Sequence, residues 1–480
     1  MKVTSVRARK ARSSPTLVGA SRRDKGPEVP TVRQGLACLD RLLAILPLPG
    51  DARYYGSRWL TLRAANSHLY QPHLEWTEAV SLRVIEEGGR VGVSATSDLS
   101  GNGLAALVQE ARSLARCAPR SPVPFAFPKD PGTPVPSVPF APGVLNDGTR
   151  AAQDLVGAID ALTNALPGAR VSGAYHQGYE VLAVANSSGL RRGSRRSLAQ
   201  ASLLCEDLSR EPPASGWAER ASWDPASVPW TDLAQEALAT TPREPPRAVP
   251  PGRYRVLLAP AAVSDLLGHL FLSSLGAQAV AEGWSFLCQR SRIPTLPPVL
   301  ALKEDPLSPE GVPEALDYEG TSRRSRVLLR DGVFGDPCQD RASAARASTR
   351  TTGNALPPEM PGGPIPTHLS LRPGTADHRG LLALLHRGIL VTRFWYVRTV
   401  HPGRTELTGM TRDGTYWVED GCIAYPMRNL RFTQSVLGTL SQVEAVGKES
   451  RAFADERGLI SQRLSPLVSG DFHFTSGTSF

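Results

Sequence analysis

The sequence predicts an α+β fold: an N-terminal α+β unit, a middle α+β unit, and a β-rich C-terminal domain carrying one central helix. Three observations predict it. Runs with helical spacing alternate with hairpin patterns over the first half of the chain. Two proline-rich stretches interrupt those runs. Beyond a helix that opens near Ser264, short strands and turns dominate. The chain has 480 residues, room for about three domains. Its 43 glycines and 42 prolines mark turns and proline-rich connections; without a Gly-X-Y period they do not mark collagen.

Residues 1–30 read as a disordered basic tail, with almost no apolar side chains to bury. The N-terminal domain, 31–120, opens with a helix through Leu36, Leu39, Leu42, Leu43 and Leu46, stopped by Pro47 and Pro49. Trp59 to Arg63 reads as a strand. Val80, Leu82 and Val84 alternate with polar neighbours up to Gly88-Gly89, and Val91 and Val93 resume the alternation, a hairpin. Ser100 caps a helix bearing Leu104, Leu107, Val108, Ala111 and Leu114 on one face. A proline-rich linker spans 121–148. The central domain, 149–241, starts with a helix through Leu155, Ile159, Leu162 and Leu166. A hairpin of Val171–Tyr175 with Glu180–Ala185 follows, then the turn Asn186-Ser187-Ser188-Gly189 and a strand through Leu203. After the linker 242–251, the C-terminal domain, 252–480, opens with the strand Tyr254–Leu258 and a helix from Ser264 to about Ala281. Two later helices are expected, near Ala376–His386 and Gln434–Val446.

The net charge is +9, and the first 30 residues hold eight basic against two acidic side chains, so +6 of it belongs to the tail. The body is near neutral, which argues against a nucleic-acid-binding surface despite the sequence pI of 9.4. No apolar run in the tail resembles a signal peptide. The most apolar stretch, Val256–Leu272, is broken by Ser264, Asp265 and His269, so no membrane span is expected. Six cysteines without a C-x-x-C exclude a disulfide scaffold or zinc ribbon and suit a reducing, cytoplasmic location.

Gly101-Asn-Gly103-Leu-Ala-Ala106 imitates a dinucleotide fingerprint, but its strand belongs to an antiparallel hairpin, so an ordinary helix start is the better reading. No P-loop or G-x-S-x-G elbow is present. The nine histidines are scattered; His68 and His73 make a weak ligand pair, and no Cys–His cluster has metal spacing. The basic run Arg191 to Arg196 suits either phosphates or a charged strand edge. On the helix at 264–281, Leu266, Leu267, Leu270, Phe271 and Leu275 form a stripe to bury, with Asp265, His269 and Ser273 on the opposite face.

Around that helix, short motifs accumulate in order. They are Gly92-Val-Ser-Ala-Thr-Ser-Asp98-Leu-Ser100, Ala185-Asn-Ser-Ser-Gly189, and Val280-Ala-Glu-Gly283-Trp-Ser-Phe-Leu287. Asp305-Pro306, Asp317-Tyr-Glu319-Gly320, Thr352-Gly353-Asn354 and Pro366-Thr367-His368-Leu369 follow, then Pro373-Gly374. Arg387-Gly-Ile-Leu-Val-Thr392, Thr408-Gly409 and Glu419-Asp-Gly-Cys422-Ile-Ala-Tyr-Pro426 complete the series. Together they resemble the TldD/PmbA proteins, also called the TldD/TldE or peptidase U62 family, over roughly residues 35–476.

In that family the catalytic kind of subunit carries His-Glu-x-x-x-His on the central helix and a cysteine near the C-terminus, together holding zinc. Two imidazoles on adjacent turns bind the metal, and the Glu takes a proton from metal-bound water. Here the two histidine positions are Gly268 and Ser273 and the Glu position is His269. Sliding by one residue puts His269 first but leaves Leu270 and Ser274 in the other places. The last cysteine, Cys422, is not at the ligand position. The resemblance is therefore to the PmbA/TldE kind, which lacks the ligands, and the ending Pro466 to Ser476 resembles that subtype's. It implies a chain with no catalytic residue, metal ligand or cofactor of its own. Its partner would be a TldD-type, zinc-bearing homologue in a cytosolic heterodimer that degrades or processes unfolded peptides; self-dimers are also conceivable. Two alternatives remain: a metallopeptidase in its own right using an unrecognised metal site, and a nucleic-acid- or gyrase-associated modulator, as older family names suggest.

Overall fold

The computed structural model describes residues 29–120, 127–211, 213–360, 362–455 and 458–478. Most of the basic tail (1–28) lies outside them. The N-terminal half runs α1 (Val32–Ala44), β1 (Gly50–Ala65), β2 (His68–Leu69), β3 (His73–Glu86), β4 (Arg90–Thr96), α2 (Gly101–Cys117), α3 (Thr149–Ala165), β5 (Arg170–Asn186), β6 (Arg191–Asp207), β7 (Ala214–Ser222) and α4 (Trp230–Ala239). One antiparallel sheet, ordered β4-β3-β1-β5-β6-β7, joins the N-terminal and central units through the β1–β5 pair, from Asp51↔Asn186 to Ala64↔Gly173. Alternation along these strands sorts the side chains onto two faces. Ala52, Tyr54, Val80, Leu82, Tyr179 and Val181 pack under α1 and α2; Leu60, Leu62, Val171, Tyr175, Ala201 and Leu203 pack under α3 and α4. The opposite face carries Asp51, Arg53, Arg83, Glu180, Arg192 and Arg196, all turned toward the C-terminal half.

The expected Val171–Tyr175/Glu180–Ala185 hairpin is instead one continuous strand, β5, whose hairpin partner is β6. No turn forms at His176–Tyr179 because Gly178 lets β5 lie against Arg58 and Trp59 of β1: a Cβ there would stand 2.4 Å from the Arg58 carbonyl oxygen.

The C-terminal half runs β8 (Gly252–Leu258), α5 (Pro260–Ser274), α6 (Ala277–Ala281), β9 (Leu302–Glu304), β10 (Arg326–Arg330), β11 (Val333–Phe334), α7 (Arg341–Arg346), β12 (His368–Leu371), α8 (His378–Leu385), β13 (Gly388–His401), β14 (Glu406–Glu419), β15 (Cys422–Pro426), β16 (Leu430–Ser435), α9 (Val436–Ser441), β17 (Val443–Val446), β18 (Arg451–Ala454), β19 (Ser461–Leu464) and β20 (Leu467–Gly477). Strands β13-β8-β20-β16-β14 close into a barrel through the β13–β14 pair. A second sheet runs β11-β10-β9-β12-β19-β18. Helix α5 lies between them: Leu266, Leu267 and Leu270 share a core with Val256, Val391 and Phe432 of the barrel and with Leu302, Leu369 and Leu464 of the sheet. Central helix and β-rich surround agree with the α+β reading.

Two helices are shorter than the sequence pattern suggests. The run 264–281 breaks at Leu275-Gly276, where the backbone bonds to Cys338 on both sides and a Gly276 Cβ would meet the Pro364 carbonyl oxygen at 2.1 Å. The run 434–446 is helical only over α9; its second half is β17, paired with β20. No helix among the described residues is long and apolar enough to cross a membrane.

Candidate functional site

Helix α5 starts with Pro260, whose fixed φ and absent N–H suit the first helical position. Burial of Val263, Leu266, Leu267 and Leu270 then sets where the remaining positions point. Asp265 is no surface residue: its Oδ2 accepts the Phe394 N–H of β13 at 2.9 Å. Burial pushes this carboxyl up to about 7; the Phe394 N–H and Arg393 oppose the rise, and Glu219 adds to it. His269 is half-buried, and its Nδ1–H donates to the Asp265 carbonyl oxygen at 2.9 Å, so the ring is tied back to its own helix. Gly268 faces β19: a Cβ there would lie 3.1 Å from Nε2 of Gln462, which donates to Ser264 Oγ at 3.0 Å. An imidazole at position 268 would have to displace Gln462. In the slid register Leu270 and Ser274 are both buried, 1% and 0% exposed. The side chains of Phe271 and Ser273 lie outside the described residues. Cys422 is exposed on β15, in the turn where Gly421 N–H donates to the His386 carbonyl oxygen.

Zinc is the metal the resemblance implies, and these residues do not fit it. Among the described residues no group of three or more His, Cys, Asp or Glu side chains is arranged to hold a metal ion. His68 and His73 stand on β2 and β3, with His68 bonded to the Asn66 carbonyl oxygen at 2.7 Å. The Gly101–Ala106 segment is a capped helix start: Ser100 Oγ accepts the Gly103 N–H at 3.1 Å, and a Cβ on Gly103 would collide with Asp98.

The motif residues gather elsewhere, in a buried ionic network. Asn354 Nδ2 lies 2.7 Å from both oxygens of Glu304, and Thr367 N donates to Glu304 at 3.1 Å. Arg323 bridges Glu304, at 2.8 Å, to Glu314. Glu314 continues to Arg196 at 3.5 Å, and Arg196 pairs with Glu180, which also accepts the Tyr55 hydroxyl. Burial raises the Glu180 carboxyl, although Arg196 opposes it. Asp317, taking the N–H groups of Glu319, Thr321 and Ala355, is raised to about 6 by burial and by Glu319. His368 stays neutral: burial, then Arg323 and Arg196, drive its pKa well below the ordinary value while its Nε2 donates to the Val312 carbonyl oxygen at 2.9 Å. Thr367 Oγ1 lies 2.9 Å from His368 Nδ1, but both residues are buried, 2% and 4% exposed. The network clamps the N-terminal sheet to the C-terminal half.

Arg191 to Arg196 form neither a phosphate site nor a bare strand edge. Arg192 donates to Gly320, Thr133 and Ser322, Arg191 pairs with Asp40 at 2.6 Å, and Arg195 lies over the Phe140 ring at 4.3 Å. Sequence reasoning missed Glu304, Glu314 and Arg323, which lie outside the motifs that carry the resemblance.

The description "PmbA/TldA metallopeptidase domain 1" matches residues 50–115, and "PmbA/TldA metallopeptidase C-terminal domain" matches residues 251–472. The fold is shared with TldE from Thermococcus kodakarensis (17% identity, 92% of this chain and 100% of that one, TM-score 0.82). It is shared too with a Thermotoga maritima protein named as a candidate modulator of a DNA gyrase (20%, 92% and 99%, 0.79). A Bacteroides thetaiotaomicron protein named in the same way is also similar (18%, 93% and 98%, 0.75). No curated relative matches the chain. With first and last domains matched in order and the fold shared over nearly the whole length, the chain belongs to the PmbA/TldD metallopeptidase family.

Proposed function

We propose that this chain is a non-catalytic, TldE/PmbA-type subunit of a cytosolic zinc metallopeptidase complex, helping to enclose unfolded peptides that a TldD-type partner cleaves. One observation carries the reading. On the central helix the family's metal positions are Gly268, His269 and Ser273, and Gln462 stands against the first of them. Positions 268 and 273 carry no metal-binding side chain. The likeness to a protein named TldE supports the subtype. In this reading the chain contributes surface, and the partner supplies zinc, the activated water and the base.

Co-expression with the zinc-bearing homologue of the same organism, followed by size-exclusion, zinc analysis and a peptide-cleavage assay, tests this. The expected outcome is co-elution of the two chains, well under one zinc in this chain alone, and cleavage only by the pair. Stoichiometric, chelator-sensitive zinc with turnover in the isolated chain would favour a peptidase in its own right. The gyrase names of two structural relatives suggest a second role. Salt-dependent DNA binding that survives removal of residues 1–30 would support that reading instead.

A further inference from the structure

Strand β13 breaks its own alternation. Phe394 and Val397 both enter the barrel core, and the register with β14 shifts between Trp395 and Arg398. A regular strand would turn one of the two residues between them inward. The bulge leaves both outside: Trp395 is 44% exposed and Tyr396 60%. Tyr396 holds a φ of 54°, in the left-handed region that disfavours a bulky side chain, and little packing offsets this at so exposed a position.

The register extends this surface over the outer wall of the barrel. Directly paired residues share a face, so Trp395, Met410 and Arg431 form a row across β13, β14 and β16. Arg393 stands opposite Arg412 on one side of that row, and Arg398 opposite Thr408 on the other. The guanidinium groups of Arg393 and Arg412 lie 5.3 and 4.6 Å from the Trp395 ring, and that of Arg398 lies over the Tyr396 ring at 4.5 Å. The nearby carboxylates are buried or paired. Asp413, its side chain 1% exposed, serves Arg393 at 2.8 Å and Arg412 at 3.7 Å. Glu219 and Asp265 act on Arg393 from the interior, and Arg404 holds Glu406 at 3.2 Å. Arg398 and Arg431 are exposed and enter no ion pair among the described residues. Cations thus reach solvent beside two aromatic rings. Tryptophan, tyrosine and arginine are the side chains that anchor protein contacts, and clustered guanidinium groups take carboxylates.

We propose that this wall of the barrel docks an acidic, extended segment of an unfolded peptide, with its carboxylates on Arg398, Arg412 and Arg431 and an apolar side chain against Trp395 and Tyr396. The peptide as occupant rests on the peptide-enclosing reading above; the acidic chemistry of the occupant does not.

Fluorescence anisotropy on the full chain tests it, with a labelled peptide rich in Asp and Phe, its counterpart bearing Asn for every Asp, and a single-stranded oligothymidine. The acidic peptide is expected to bind about tenfold or more tighter than the Asn counterpart at low salt, a margin that shrinks as salt screens the exposed pairs. Arg398→Glu combined with Arg431→Glu is expected to weaken that binding by about tenfold or more, with Tm within about 2 °C of the parent. Tyr396→Gly relieves the left-handed backbone and is expected to weaken binding about fivefold without lowering Tm, whereas a residue held for packing would lower it. If Tyr396→Gly does lower Tm, the charge reversal and the Asp–Asn comparison decide. Equal binding of the two peptides, no binding at about 1 mM, or an unaffected charge-reversal variant overturns the proposal. Oligothymidine bound as tightly as the acidic peptide overturns the peptide as occupant. Self-association that the charge reversal abolishes would place a second copy there and overturns it too. All readouts use this chain alone, so failure here is distinct from failure of co-elution with a partner.

Discussion

Asp265 shows how packing turns a polar helix position into a tether. A carboxylate on a half-buried helix costs desolvation, and here a single backbone N–H from β13 and the nearby Arg393 offset only part of it. The carboxyl therefore binds its proton more tightly in the folded protein, at about 7, than in the unfolded chain, at the ordinary 3.8. The folded state takes up a proton over that interval, so the contribution of Asp265 to stability is fullest below about pH 4, declines as pH rises to about 7, and is flat above. Asp265→Asn keeps an acceptor for Phe394 and removes the buried ion. Its Tm is expected to exceed the parent's at pH 8 and to exceed it by a smaller margin at pH 5. Thermal melts at both values check this; a deficit equal at the two would show that Asp265 is held as the anion.

At the scale of elements, glycine decides where strands and helices continue. β5 is one strand because Gly178 admits β1 at a distance no side chain tolerates. Gly178→Ala places a Cβ 2.4 Å from both the Arg58 carbonyl oxygen and the Trp59 ring, and the first of these is fixed by the sheet. The expected cost is about 1–3 kcal/mol, read as a lowered denaturant midpoint with unchanged m-value. A neutral variant would mean the β1–β5 pair is looser than the register implies. The helix starts need no such tertiary help. Thr31, Ser100 and Asp377 each accept an N–H of the first turn, at Gln34, Gly103 and Gly380.

Across the whole molecule, buried ion pairs join the two halves alongside apolar contacts such as Leu198 with Val312 and Val184 with Leu316. Arg196 of the N-terminal sheet meets Glu180 beside it, Glu314 of the C-terminal half and the Gly458 carbonyl oxygen, and all three side chains are at most 8% exposed. Arg83 repeats the device with Asp51 and Glu319. A buried pair contributes little net stability over an apolar filling, yet removing one member leaves uncompensated charge. Arg196→Met is expected to cost about 3–5 kcal/mol by denaturant unfolding. The loss should be smaller at pH 5 than at pH 8, because the stranded Glu180, already raised by burial, is then closer to neutral. A loss under about 1 kcal/mol would show that the two halves are held by their apolar contacts alone.

Periodicity, caps and turn glycines made the helices α1, α2 and α3 and the β3–β4 hairpin legible, since each depends on residues within a few positions of one another. The ordered motifs made the family legible, and the sequence alone puts Gly268, His269 and Ser273 at the helix positions where the resemblance implies metal-site residues. Tertiary structure decided the rest. Which strand lies beside β1, which side of α5 meets Gln462, and which carboxylates Arg53, Arg196 and Arg323 share are set by residues far apart in the chain. A charge carries no mark of its distant partner. Only when the sheet face and the C-terminal segments close on each other do desolvation and pairing determine which ions are satisfied, and leave Arg53 with a nitrogen to spare.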